Sequence, residues 1–131
     1  MKVLIIDDSM IVRDRLTEAL RELGSVDEMR GVADVSGALL ALHELAPDLV
    51  ILDLHLAGGS GFDVLPHLKK REPRPLIVVL TNHAGVEYAD RCRQLGADYF
   101  FDKSAEYERA LEVIQLAHPR MDRAVGQMPT E

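Results

Sequence analysis

The sequence predicts an α/β protein in which a five-stranded parallel sheet is covered by helices on both faces. Three apolar runs, VLII (3–6), LVIL (49–52) and LIVVL (76–80), lack the alternation of a half-exposed strand and read as strands buried on both sides. Segments of helical period separate them, and two weaker strands fit DEMRGV (27–32) and ADYFF (97–101). The pattern is a βα unit repeated five times, which right-handed crossovers turn into a parallel sheet between helical layers.

The first helix is read from Val12, Leu16, Ala19, Leu20 and Leu23, which share one face, while Arg13, Asp14, Arg15, Glu18 and Glu22 lie largely off it. Gly24 ends it. A second helix fits Ser36 to Ala46, stopped by Pro47, and a third starts after Gly61 with Phe62, Leu65 and Leu68 on its apolar face. Val86, Ala89, Cys92 and Leu95 mark a fourth; Tyr107, Ala110, Leu111, Ile114 and Ala117 mark a fifth. From His118 the chain carries two prolines and no sustained period. Residues 1–118 are therefore expected to form the domain and 119–131 a disordered tail.

A length of 131 residues is one domain's worth. The net charge of -7 argues against a protein whose affinity comes from neutralising nucleic-acid phosphates. No apolar run approaches the ~20 residues that span a bilayer, and MKVLII is too short for a signal peptide. The chain reads as a cytoplasmic protein. Its single cysteine, Cys92, excludes an internal disulfide and fits a small buried helix residue, while the five histidines show no zinc-ligand spacing.

In an open parallel sheet, ligand sites lie beyond the carboxyl ends of the strands. The polar residues at those ends are Asp7 and Asp8 after the first strand, Asp53 after the third, Thr81 after the fourth and Lys103 after the fifth. Three carboxylates so close are unstable together unless a cation offsets them, and oxygen-only ligands select a hard ion such as Mg²⁺. Such an ion keeps coordination room for a phosphoryl oxygen, and Lys103 and Thr81 are suited to hold the others. Each residue has a plainer reading alone: Asp8 or Ser9 as the cap of the first helix, Thr81 as the cap of the fourth, Lys103 as a solvated surface lysine. Their coincidence at strand ends is what those readings leave unexplained. The glycine-rich AGGSG (57–61) lacks the lysine and spacing of a P-loop and reads as a flexible strand-to-helix turn.

Acidic pair, aspartate, threonine and lysine, in this order along five βα units, resemble the receiver domains of two-component response regulators over about residues 2–117. The resemblance implies a flavodoxin-like sheet of strand order 2-1-3-4-5. It implies that Asp53 accepts a phosphoryl group from a phosphohistidine on a histidine kinase or a histidine phosphotransfer protein. Asp8 and Asp53 would bind Mg²⁺ directly, Asp7 largely through water, and the His55 backbone carbonyl would be a further ligand. Thr81 and Lys103 would hold the phosphoryl oxygens, and Phe100, three residues before the lysine, would be the switch aromatic. Output would pass through the surface of the fourth helix, fifth strand and fifth helix. The protein would be a signalling phosphoacceptor, not an enzyme acting on other molecules.

The departures from the family pattern are specific. Ala57 and Ser104 stand where prolines are usual, and Phe100 lacks the hydroxyl of the usual tyrosine, Tyr99 being one position off. Asn82 replaces a small residue after the threonine; with His55 and His83 it is expected to modulate access to the site. Two other readings remain open. One is a phosphorylation-independent interaction module that keeps the fold. The other is a Mg²⁺-dependent phosphatase, which usually needs a second aspartate two residues after the first, whereas Leu54 and His55 follow Asp53.

Overall fold

The computed structural model describes residues 1–24, 26–83 and 85–126, with side chains up to Leu116. The chain runs β1 (Lys2–Ile6), α1 (Met10–Arg21), β2 (Glu28–Val32), α2 (Val35–Leu45), β3 (Leu49–Leu52), β4 (His55–Leu56), β5 (Gly59–Ser60), α3 (Gly61–Lys69), β6 (Leu76–Thr81), α4 (Val86–Gln94), β7 (Tyr99–Asp102) and α5 (Tyr107–Gly126). The main sheet is parallel, in the order β2-β1-β3-β6-β7. This is the expected 2-1-3-4-5 once the small antiparallel hairpin β4–β5 is counted apart.

Both faces of the sheet are buried, which is why its central strands read as unbroken apolar runs. Leu4, Ile6, Val50, Leu52, Ile77 and Val79 pack under α2, α3 and α4. Val3, Ile5, Leu49, Ile51, Val78 and Leu80 pack under α1 and α5, where Leu16, Leu20, Ala110 and Ile114 meet them. The edge strand β7 divides likewise: Tyr99 and Phe101 face α1 and α5, and Phe100 faces the other cluster.

Local signals set the helix starts. The Ser9 hydroxyl caps α1 by accepting from the Val12 N–H, and Asp34 caps α2 through the Gly37 N–H. Ser60 and Asp63 form a reciprocal capping box at α3. Thr81 caps nothing: the residue before α4 is Gly85, with no side-chain cap. The fifth helix runs past Ala117, where the apolar period ends, to Gly126. Arg120, Met121, Arg123 and Ala124 favour helix and Pro119 opposes it, and core periodicity registers neither. Of the tail expected over 119–131, residues 127–131 lie outside the described residues.

Candidate functional site

Register brings the polar strand ends together. Ile6 pairs with Leu52, so Asp7 and Asp53 are the next residues on adjacent strands, and the Asp53 N–H donates to the Ile6 carbonyl at 2.8 Å. Thr81 pairs with Asp102, and the Lys103 N–H donates to the Thr81 carbonyl at 2.8 Å. Asp7, Asp8 and Asp53 each offer a carboxylate oxygen within 4.8 Å of the other two. Two like charges that far apart repel by about 3 kcal/mol at an effective dielectric near 20.

Lys103 offsets part of this repulsion. Its Nζ lies 2.8 Å from Asp7 Oδ2 and 3.0 Å from Asp53 Oδ2, reaching both buried carboxylates, while Asp8 is turned toward solvent. Burial opposes the ammonium, yet the bonds to Asp7 and Asp53 together outweigh it and hold the Lys103 pKa above that of an ordinary lysine. Burial is the largest influence at Asp7 and, with repulsion from Asp53, holds its pKa above the ordinary carboxylate value against the opposing Lys103 and Ser9 hydrogen bonds. One ammonium facing three carboxylates leaves the cluster an excess of negative charge. All-oxygen donors with that excess fit a hard divalent cation.

Thr81 is fully buried and its hydroxyl accepts from the His83 N–H at 3.2 Å. A cleft of about 210 Å³ opens over Asp8, Asp53 and Lys103, walled by His55, Asn82 and His83, and Thr81 does not line it. His55 and His83 stack with ring centroids 5.6 Å apart, and Tyr88 meets His83 edge-on. His55 Nε2 stands 3.9 Å from Asp8 Oδ2. Phe100 is half-buried against the cluster that holds Cys92 and Leu95. The Lys103–Ser104 peptide is trans.

The model of the response regulator receiver domain matches residues 3–115. The chain belongs to the response regulator receiver domain family. It is 33% identical over 134 residues to the sensory transduction protein LytT of Enterococcus faecalis, covering 100% of this chain and 53% of that protein. This receiver chain therefore spans about half the length of the LytT relatives it matches. Among solved structures, the non-phosphorylated HemR receiver domain of Leptospira biflexa superimposes with TM-score 0.76 at 28% identity, covering 89% of this chain and 91% of that one. The beryllofluoride-activated NtrC4 receiver domain dimer does so with TM-score 0.77 at 27% identity, covering 88% and 94%. Receiver domains are signalling modules of two-component systems, which at family level implies a histidine kinase partner.

Three features of this receiver escape the sequence reading. Arg13, assigned there to the polar side of the first helix, donates from Nη1 to the Asp7 carbonyl at 2.7 Å. Ser104 donates to Asn82 Oδ1 at 3.1 Å, tying together the loops that follow β6 and β7. The AGGSG stretch is a hairpin end and not a slack turn: a Cβ on Gly61 would lie 2.6 Å from the Asp53 carbonyl oxygen. Only a glycine inside the strand EMRGV hinted at the first of these.

Proposed function

We propose that this receiver domain is a phosphoacceptor that takes a phosphoryl group from a phosphohistidine onto Asp53, and that its only catalysis is of its own phosphorylation and dephosphorylation. The observation that carries the reading is the Lys103 ammonium, bonded to Asp7 and Asp53 beside a cluster of three carboxylates open to one cleft. A carboxylate oxygen of Asp53 attacks phosphorus in line, the P–N bond breaks, and the imidazole leaves with its electron pair. Asp8 and Asp53 directly, Asp7 through water and the His55 carbonyl would hold Mg²⁺, which when bound supplies charge neutralisation at the phosphoryl oxygens. Lys103 stays in reach of the new acyl phosphate and complements one oxygen as a point charge.

Thr81 supplies the switch in this reading. Its hydroxyl accepts from the His83 N–H, which leaves its own proton free to donate, but Thr81 is buried and off the cleft, so it reaches a phosphoryl oxygen only if the loop after β6 shifts. Phosphorylation then favours the shifted state by that differential contact, and Phe100 follows with the surface of α4, β7 and α5. His55, Asn82 and His83 wall the cleft and so govern entry of donor and water. The exposed Met10 and Ile11 at the start of α1 offer an approaching partner apolar contact. The receiver unit takes in at least residues 1–118, with α5 continuing to Gly126, and the site of action is the cytoplasm. No helix among the described residues is long and apolar enough to cross a membrane.

The test is intact-mass analysis after incubation with acetyl phosphate and Mg²⁺. Wild type is expected to gain the mass of one phosphoryl group and Asp53→Asn none. An unmodified wild type would favour a phosphorylation-independent interaction module.

A further inference from the structure

Gly31 sits inside β2, where its backbone is not in the left-handed region and the strand itself has no need of glycine. What a side chain there would press on is Arg13. A Cβ on Gly31 would lie 3.2 Å from Arg13 Cδ and 3.6 Å from its Nε. The arginine stem thus crosses the bare backbone of β2, and its Nη1 reaches the Asp7 carbonyl oxygen at 2.7 Å.

That carbonyl belongs to the peptide joining Asp7 to Asp8. Successive residues of a strand point to opposite faces, so two adjacent carboxylates can converge only if the chain leaves the strand between them. Asp7, the residue after β1, continues the ladder's bonding, its N–H donating to the Val32 carbonyl at 3.0 Å, and yet Asp7 and Asp8 both bring oxygens within 4.8 Å of Asp53's. The peptide that makes this turn is held by Arg13 on its carbonyl and, one residue on, by the Ser9 N–H donating to Asp7 Oδ1 at 2.9 Å. We propose that Arg13 is a positioning residue for the divalent-cation site, fixing the Asp7–Asp8 peptide so that both carboxylates face the ion, and that Gly31 is glycine to give it passage.

This rests on Asp7, Asp8 and Asp53 being a cation site. It differs from a purely electrostatic role, because a cation beside the site would by its charge alone weaken Mg²⁺ binding. Calorimetric titration with Mg²⁺ of wild type, Arg13→Lys, Arg13→Gln, Gly31→Val and the Arg13→Gln/Gly31→Val double variant separates the cases, with melting curves in chelator as the structural control. Both Arg13 variants are expected to bind Mg²⁺ on the order of 10-fold more weakly, as for other groups that orient metal ligands. Gly31→Val should weaken binding in the wild-type background and add nothing in Arg13→Gln. Wild-type affinity in Arg13→Lys, tighter binding in Arg13→Gln, or independent addition of the two changes would overturn the positioning role. A wild type that binds no Mg²⁺ would remove the cation-site reading itself, and the positioning role with it.

Discussion

At the scale of single residues, the site is defined by an imbalance: one lysine touches two buried carboxylates and leaves the third turned outward. The raised pKa of Asp7 has a consequence for stability. An acid whose folded pKa exceeds its unfolded value binds protons better when folded, so folding is favoured below the unfolded value and that advantage is lost as pH rises through the folded one. Asp7→Asn removes the titration. In chelator, its stability relative to wild type should therefore improve from about pH 3 to about pH 7, read as the shift in urea midpoint. A pH-independent difference would contradict the burial account. The positions of Asp7, Asp8, Asp53, Thr81 and Lys103 were legible because each follows an apolar strand, and parallel strands in register put their ends on one edge. Arg13, and the bond from Ser104 to Asn82, were not. Which cross-strand atom a long side chain reaches depends on the three-dimensional path, and residue type alone says only that arginine is polar.

At the scale of elements, α3 is seated against the site through its first residue. The Gly61 N–H donates to the Leu54 carbonyl at 2.9 Å, and a Cβ there would lie 2.6 Å from the Asp53 carbonyl oxygen and 3.0 Å from Leu54 Cα. These are backbone atoms and cannot step aside as a side-chain tip can. Gly61→Ala should cost about 2 kcal/mol in urea unfolding, the scale of overpacking a tight contact, and should slow phosphorylation by displacing Asp53. Wild-type stability would show that the start of α3 has slack. The sequence located this helix start, but read AGGSG as flexible because glycine usually signals freedom. Here close approach makes glycine necessary, and Ser60 with Asp63 fixes the start further. The same limit applies at α5: apolar periodicity stops at Ala117 and Pro119 follows, yet the helix runs to Gly126.

For the molecule as a whole, the fold was legible because a sheet buried on both faces writes itself as continuous apolar strings, and alternation with helices leaves few topologies. The price is a charged edge in the metal-free protein, so binding a cation there should stabilise the entire fold. With Mg²⁺ at ten times its Kd the expected gain is about 1.4 kcal/mol, a rise in Tm of roughly 4 to 6 °C that Asp8→Asn should lose. An equal rise in both proteins would place the ion elsewhere. The central claim is that this edge exists to phosphorylate Asp53. Borohydride reduction tests it most directly, because one hydride expels phosphate from an aspartyl phosphate and a second reduces the resulting aldehyde, leaving homoserine at the modified position. After treatment with acetyl phosphate and Mg²⁺, peptide mapping should find homoserine at position 53 and none when Mg²⁺ is chelated. Homoserine at position 7 or 8, or at no position, would contradict the account.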